Sequence, residues 1–192
     1  TTPLQLCLMT AQIANGGFKI KPRILRDDNS EINNIQKYSD YIKENPFSTS
    51  YELLRNQLNV KPLFRNQENI NLVKDAMFAA TNEIGGTSYG SRHKDKRYEF
   101  AGKTGSSQIK KFTAKQREDE VKQENIDYLS RDHAWFVAFA PVSNPRYAIS
   151  VLVEHGGSGS KAAAPLAKQI IKKVLERHES RVSYSKRLGE DA

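Results

Sequence analysis

Residues 132–157 read DHAWFVAFAPVSNPRYAISVLVEHGG, and the fold class follows largely from this one segment. It contains two apolar runs, 134–140 and 146–154, joined by the turn sequence PVSNP. Both runs are apolar on consecutive residues, which is typical of strands that are buried on both faces of a sheet. The short connection contains Pro and Asn and indicates a hairpin, so the two strands should be antiparallel neighbours.

A third strand is predicted upstream, over 98–108, and its centre reads AGKTGSSQ. Lys103 offers a fixed positive charge for an anionic group, and Thr104 adds a hydroxyl donor. Gly105 has no side chain, so an extended ligand can approach the strand and pair with its edge. The backbone N–H of Ser106 can then point at an oxygen that becomes negative during a reaction. On its own, the Lys-Thr-Gly triplet is also compatible with an ordinary turn that contains a glycine.

Helices are predicted before and after the strands. The first segment, TTPLQLCLMTAQIANGG, has Thr2 as a cap, Pro3 suited to the first helical position and Asn-Gly-Gly at 15–17 as a stop. Two more helices are predicted over 67–81 and from about 163 to 177.

Apolar spacing also predicts which faces of the later helices are buried. In the helix over 67–81, the predicted face comprises Leu72, Ala76 and Ala79 or Ala80, with Val73 and Met77 beside it. In the last helix, one ridge comprises Leu166, Ile170 and Val174, with Ala167, Ile171 and Leu175 beside it.

The predicted order is helix, mixed loops, helix, three antiparallel strands and helix. This is an α/β (α+β) arrangement in which an antiparallel sheet is flanked by helices. Residues 26–66 are polar without a clear period and predict surface loops with short helices, while 109–132 predict a charged surface excursion. One domain is expected over 1–180, followed by a frayed tail over 181–192.

Composition restricts the classes of partner. The net charge is +8 over 192 residues, but it is scattered and few aromatic residues interleave with it, so nucleic-acid binding is disfavoured. Cys7 stands alone in an apolar segment and is interpreted as a small buried side chain. Four histidines and one cysteine show no metal-ligand spacing, so neither a metal nor another cofactor is expected. No apolar run has the length of a membrane span, no signal peptide is visible, and the start at Thr1 suggests a truncated or processed chain.

Several motifs occur together in a fixed order, namely TPLQL and IANGG, then AGKTGSSQ, then DHAWFVAFAP, then NPRYAISVLVEHGGSG, and finally AAPLAKQI. This series resembles the C-terminal half of class B penicillin-binding proteins, most closely the penicillin-binding protein 2 subtype of elongation transpeptidases. The resemblance is clear over 2–17, 67–108 and 132–177, and it is vague over 26–66 and 109–131.

The resemblance implies a function. Members of the family cross-link peptidoglycan: a serine attacks a D-alanyl-D-alanine stem peptide, a second stem's amine resolves the acyl-enzyme, and β-lactams acylate the same serine. Lys103 and Thr104 match the residues that hold the substrate carboxylate, Gly105 lies in the same binding motif, and Ser106 matches the position whose backbone N–H forms half of the oxyanion hole. The implied partners are peptidoglycan stem peptides and β-lactams, with no nucleic acid. The implied location is the periplasmic face of the bacterial inner membrane for a parent protein, although this chain shows no membrane segment.

The family nucleophile is a serine at the start of a helix with a lysine one turn later, well upstream of Lys-Thr-Gly. Four literal Ser-x-x-Lys matches occur, at Ser91–Lys94, Ser107–Lys110, Ser158–Lys161 and Ser183–Lys186. None has the expected position, and no Ser-x-Asn triplet occurs. We therefore expect a fragment that carries the Lys-Thr-Gly wall without a nucleophile, and the missing N-terminal part of the same domain as its partner. A non-catalytic ligand- or partner-binding module, a β-lactamase and a nucleic-acid binder are the alternatives.

Two histidines are candidates for further roles. His133 follows Asp132 and could act as a base, but we favour a structural role in which an Asp132–His133 hydrogen bond orients the strand entry. His155 precedes the glycine turn after the third strand and could line the rim of the site, although a structural role is again favoured.

Overall fold

A computed structural model describes residues 1–20, 22, 24, 63–109 and 125–190, without the side chains of residues 67 and 181–190. The helices are α1 (Pro3–Ala14), α2 (Gln67–Asn82) and α3 (Ala164–Glu190). The strands are β1 (Ala101–Ser107), β2 (His133–Ala140) and β3 (Tyr147–Val153). Short 3₁₀ turns lie between α2 and β1, and a π turn, Gly159–Ala163, precedes α3. Within these described ranges, no helix combines the length and apolar character needed to cross a bilayer.

The strands form one antiparallel sheet in the order β1-β2-β3, as predicted. Lys103 lies opposite Val137, and Gly105 lies opposite Trp135. The β2–β3 hairpin pairs Ala140 with Tyr147 at its closed end. The central strand is β2, so one long side of β1 has no neighbouring strand in the described sheet.

Helices cover both faces of the sheet, which confirms the inference from the doubly apolar strands. The helix α3 packs on one face, where the buried cluster contains Tyr98, Phe100, Ala134, Phe136, Ala138, Ala140, Ala163, Ala164, Ala167, Ile171 and Leu175. On the other face, α1 and α2 contact the strands around a smaller buried cluster of Ala14, Met77, Ala101 and Phe139. Much of the apolar surface of β2 is therefore removed from water on both sides, while β3 stays partly buried, and this burial is the main stabilising contribution to such a fold.

The predicted punctuation of α1 is confirmed. The Thr2 hydroxyl accepts a hydrogen bond from the Gln5 N–H, and the Gln5 side chain accepts one from the Thr2 N–H, so two otherwise unpaired donors are satisfied. At the other end, Gly16 and Gly17 have φ values of 89° and 92°. Only glycine adopts this region readily, so the Asn-Gly-Gly sequence ends the helix.

The predicted face of α2 is wrong at Leu72 and Val73, although Met77, which was predicted beside that face, is buried. Leu72 is 68% exposed and Val73 is 41% exposed, whereas Ile70, Met77 and Thr81 are buried. These three buried positions lie on one stripe of the helix, which includes a threonine that forms hydrogen bonds to β1. Apolar spacing does not reveal this stripe in full, because Thr81, its last member, is polar.

Of the two neighbouring ridges predicted for α3, the second is the buried one. Ala167, Ile171 and Leu175 are at most 5% exposed, whereas Leu166 and Ile170 are both 44% exposed. Alanines at the start of α3 allow its backbone to approach the sheet closely, so the ridge with smaller side chains faces inward.

The end of α3 differs from the prediction as well. A helix ending near 177 and a frayed tail over 181–192 were expected, but the helical backbone continues to Glu190. This polar continuation contains helix formers such as Arg, Lys, Leu and Glu, which favour a helix without apolar spacing. The division into a domain over 1–180 and a separate tail stays a prediction. Most of the predicted loops over 26–66 and of the excursion over 109–132 lies outside the described residues.

Candidate functional site

The outer edge of β1 presents backbone groups to its open side. The N–H of Gly102 donates to the Thr81 hydroxyl at 3.1 Å, and the Gly102 carbonyl accepts from the same hydroxyl at 3.4 Å. Both groups of Gly102 therefore point away from β2 and toward α2. Because orientation repeats every second residue along a strand, the backbone groups of Thr104 and Ser106 point to the same edge.

The side chains of the Lys-Thr-Gly motif gather polar groups at this edge. Lys103 is exposed, and its ammonium donates to the Thr104 carbonyl at 3.2 Å. The hydroxyl of Thr104 donates to the hydroxyl of Thr87 at 3.4 Å. Gly105 and Ser106 are exposed beside them. The four residues predicted from the sequence thus lie together, with one cation, hydroxyl donors and an outward backbone N–H within a single strand.

Behind the edge, Gly159 packs directly on the strand backbone. A Cβ at position 159 would lie 2.5 Å from the Trp135 carbonyl oxygen and 2.8 Å from the Gly105 carbonyl oxygen. Only glycine fits so close an approach. The π turn before α3 therefore supports β1 from the rear at the motif glycine.

A buried polar network that the sequence did not suggest anchors β1 to α2. Thr81 is fully buried, and its hydroxyl lies 3.3 Å from the Ser88 hydroxyl in addition to its bonds to Gly102. The next residue, Asn82, donates a hydrogen bond from its side-chain amide to the carbonyl of Phe100 at 3.0 Å. The sequence does show a Thr-Asn pair after an apolar helix segment. Its anchoring role can be recognised only when the neighbouring strand is known.

We expect Thr81→Val to lower the free energy of unfolding by about 2 kcal/mol, since it leaves the Gly102 N–H and the Ser88 hydroxyl with one partner fewer in a buried place. Thr10→Val is the matched control. Thr10 is equally buried, but among the described residues its hydroxyl bonds only to the Leu6 carbonyl, within its own helix. Chemical denaturation of both variants measures the difference, and equal losses would contradict an anchoring role for Thr81.

The two candidate histidines lie close together at the N-terminal end of β2, which begins at His133. His133 Nδ1 accepts a hydrogen bond from the backbone N–H of His155 at 2.9 Å, so the predicted Asp132 partner is wrong. The Asp132 carboxylate instead accepts from the Ile109 N–H at 3.3 Å. The two imidazole rings are 4.9 Å apart, and His155 has a φ of 54°. A ring nitrogen occupied in this way supports the structural role predicted for His133.

Among the described side chains, none of the Ser-x-x-Lys matches has the arrangement of serine and lysine that a nucleophile would need. Ser91 is buried in a 3₁₀ turn, and Ser107 is on β1 while Lys110 lies outside the described residues. The Ser158 hydroxyl lies 3.0 Å from that of Ser160, and Lys161 is exposed. Ser183 and Lys186 lie near the C-terminal end of α3, where only the backbone is described. A nucleophilic serine at a helix start with lysine on the same face is therefore not formed by Ser91, Ser107 or Ser158.

The described residues offer little support for a metal site or for a cysteine nucleophile. Within them, no group of three or more His, Cys, Asp or Glu side chains is arranged to hold a metal ion. Burial raises the pKa of the Cys7 thiol, and its Sγ lies 3.4 Å from the Ala148 carbonyl. A protonated thiol of this kind is a poor nucleophile. Cys7 was predicted to be buried and is half-buried.

Comparison with known sequences identifies relatives of this arrangement. The model of the penicillin-binding protein transpeptidase domain matches residues 1–172. Peptidoglycan D,D-transpeptidase MrdA of Haemophilus influenzae is 28% identical over 170 residues, covering 88% of this chain and 23% of the relative. MrdA of Acinetobacter baumannii is 32% identical over 169 residues, covering 86% and 21%. The chain thus spans about a quarter of the length of these curated relatives.

Comparison with solved structures agrees. The complex between penicillin-binding protein PBP2 and MreC from Helicobacter pylori matches with a TM-score of 0.63 and 25% identity, covering 92% of this chain and 25% of the other. Pseudomonas aeruginosa PBP2 in complex with WCK 5153 matches with a TM-score of 0.57 and 27% identity, covering 90% and 30%. The resemblance to class B proteins of the penicillin-binding protein 2 type is confirmed. By the extent of the domain match, the chain belongs to the family of penicillin-binding protein transpeptidase domains.

Proposed function

We propose that this chain forms the carboxylate-binding wall of a peptidoglycan D,D-transpeptidase and that the nucleophile comes from the missing N-terminal part of the same domain. The observation that carries the proposal is the open edge of β1, where the Lys103 ammonium, the Thr104 hydroxyl and the outward backbone of Ser106 lie along one strand. Such an edge offers main-chain pairing to an extended peptide and a cation to its terminal carboxylate.

Each group has a distinct task in the proposed reaction. Lys103 and Thr104 bind the terminal carboxylate of the stem peptide, or the equivalent carboxylate of a β-lactam. Gly105 lets the substrate backbone approach, and the Ser106 N–H donates to the scissile carbonyl oxygen as that oxygen becomes negative. A donor of this kind typically contributes ~3–4 kcal/mol to transition-state stabilisation. A serine supplied by the preceding segment attacks the carbonyl carbon, and the terminal D-alanine leaves with a proton.

Exposed apolar side chains on two helices support the proposed partner. Leu4 and Met9 of α1 are 63% and 43% exposed, and Leu72 of α2 is 68% exposed. Together with the open edge of β1, they offer surface on which the remaining part of the domain can pack. We also propose the periplasmic face of the bacterial inner membrane as the location of the whole protein, as expected for an enzyme that acts on peptidoglycan.

The first test is acylation by a reporter penicillin followed by intact-mass measurement. The 192-residue chain alone should show no covalent adduct, whereas the chain preceded by segments that carry Ser-x-x-Lys and Ser-x-Asn should gain one. An adduct on Ser91 or Ser158 in the chain alone would overturn the proposed division of labour. Reversible, Lys103-dependent binding of a stem peptide without acylation in either protein would favour a non-catalytic binding module.

In the acylating protein, Lys103→Met is expected to slow acylation by about tenfold or more, because the substrate carboxylate loses a charge-assisted hydrogen bond. The control is Lys173→Met on α3, which removes the same charge from an exposed position away from the strand edge. The second-order rate constant of acylation is the measured quantity. A similar slowing in both variants would mean that only the net charge matters.

A further inference from the structure

A basic groove lies between α3 and the segment that leads from α2 to β1. It has a volume of about 370 Å³, within the roughly 300–1,000 Å³ that small-molecule sites occupy. The lining residues are Gly90, Arg92, His93, Lys94, Asp95, Tyr98, Lys168 and Lys172. None of them belongs to β1 or to the Lys-Thr-Gly motif, so the groove is separate from the proposed transpeptidase edge.

Positive charge predominates in this groove. Its one lining carboxylate, Asp95, is engaged by Arg97, whose guanidinium donates to it at 2.7 Å and holds the pKa of Asp95 below its usual value. Lys172 lies 3.7 Å from Glu176 on the solvent side. The groove therefore keeps cationic side chains that have no acidic partner within the described residues: Arg92, Lys94 and Lys168.

Arg92 is held in place before any ligand binds. Its guanidinium lies 3.6 Å from the centre of the Tyr89 ring, and one of its terminal nitrogens donates to the Tyr89 carbonyl at 2.9 Å. Stacking fixes the plane of the guanidinium while its other N–H groups stay available. A positioned, planar donor of this kind suits the oxygens of a phosphoryl group.

His93 adds a buried polar atom to the same groove. Its Nε2 is shielded from solvent and has no hydrogen-bond partner among the described residues. Burial lowers the pKa of His93, and the nearby charges of Lys168 and Lys172 lower it further, while the backbone of Lys168 and the charge of Asp95 act in the opposite direction. The cations facing His93 therefore come from α3, and the one acid comes from its own segment. An anion placed among them would favour the protonated ring.

The geometry points to a second ligand site here, a groove that binds a phosphate- or pyrophosphate-bearing group through Arg92, Lys94 and Lys168. Such a group could be soluble, or it could be the headgroup of a lipid. Both sources share the same chemistry, namely several anionic oxygens in a compact volume beside a guanidinium and two ammonium groups.

The test is calorimetric titration of the 192-residue chain with inorganic pyrophosphate, together with nuclear magnetic resonance of its histidine rings. We expect saturable binding that weakens with added salt, and a rise in the pKa of His93 larger than that of the other histidines. Lys168→Gln should weaken binding by about tenfold, and Lys168→Arg should retain most of it. Lys173→Gln, the neighbouring charge on the same helix outside the groove, should change the affinity by less than about twofold.

Two results would overturn the site. One is the absence of saturable binding, and the other is an equal loss of affinity in Lys168→Gln and Lys173→Gln, which indicates attraction by net charge alone. Circular dichroism confirms that each variant is folded. Vesicles of phosphatidylcholine with and without phosphatidylglycerol identify the source: anionic vesicles that bind through Lys168 and are displaced by pyrophosphate indicate a lipid headgroup. Vesicle binding that neither pyrophosphate nor Lys168→Gln affects counts against the groove.

Discussion

Replacing Phe136 with alanine is expected to lower the free energy of unfolding by about 3–5 kcal/mol, which is the usual cost of truncating a fully buried aromatic side chain. Phe136 is 0% exposed on the central strand, and its ring meets that of Phe100 edge to face with centres 6.1 Å apart. Its ring also fills the space beside Gly102, so the cavity would open directly behind the motif strand. Denaturant unfolding followed by tryptophan fluorescence measures the loss.

Leu72→Ala is the control for this prediction. It removes part of an aliphatic side chain that is 68% exposed on α2, so its cost should stay within about 0.5 kcal/mol. A loss of less than 1 kcal/mol in Phe136→Ala would show that the sheet core can collapse around the deletion. The packing of α3 on β2 would then be looser than the structure indicates.

The second large effect is expected for Gly159→Ala, at about 3 kcal/mol of unfolding free energy. The added methyl group would collide with the carbonyl oxygens of Trp135 and Gly105, and backbone atoms held in a strand ladder cannot move aside as a flexible side chain can. Relief requires the π turn to separate from the sheet or β1 to shift. Thermal or denaturant unfolding gives the stability change, and amide exchange along β1 reports any displacement of the motif.

Gly90→Ala is the matched glycine control, because a Cβ at position 90 meets nothing within 4 Å. It should be neutral or slightly stabilising, since alanine restricts the unfolded chain more than glycine does. If Gly159→Ala proves equally neutral, then the close contact between the turn and β1 is not a constraint on the folded protein.

The strands were predictable because their sequences carry a strong local signal. The runs 134–140 and 146–154 are largely apolar and are separated by a short turn. The observed strands are His133–Ala140 and Tyr147–Val153, so three of the four strand ends differ from the prediction by one residue and the fourth agrees. The capping of α1 was equally local, since Thr2 and Gln5 are three residues apart. Local sequence is sufficient where the stabilising partner is nearby in the chain.

The helix faces were only partly predictable, because the partners that decide which residues are buried are distant in sequence. Thr81 is buried since it bonds to Gly102, and α3 turns its alanine-containing ridge inward since the sheet surface there accepts a close backbone. Apolar spacing alone selects Leu72 and Leu166, which are longer and more hydrophobic, yet both are largely exposed. Tertiary contacts outweigh intrinsic periodicity at these positions.

The candidate site divides in the same way. The motif Lys103-Thr104-Gly105 was recognised from residue types, and its edge position follows from the sheet order. The contributions of Thr87 and Thr81 were missed, because each depends on a hydrogen bond to the motif strand, from the segment after α2 for Thr87 and from the end of α2 for Thr81. The basic groove likewise combines residues 90–98 with Lys168 and Lys172, which the sequence shows only as scattered charge.

The free side of β1 has a consequence for self-association. A strand with outward-facing N–H and C=O groups can pair with a substrate peptide, but it is also a template for any other extended chain. Such edges are a known route to aggregation. The exposed ammonium of Lys103 stands in the middle of this edge. A second copy pairing there would have to bury or oppose that charge, whereas a peptide ending in a carboxylate would neutralise it. Lys103 therefore favours binding of an anionic peptide at this edge and disfavours pairing with β1 of a second copy.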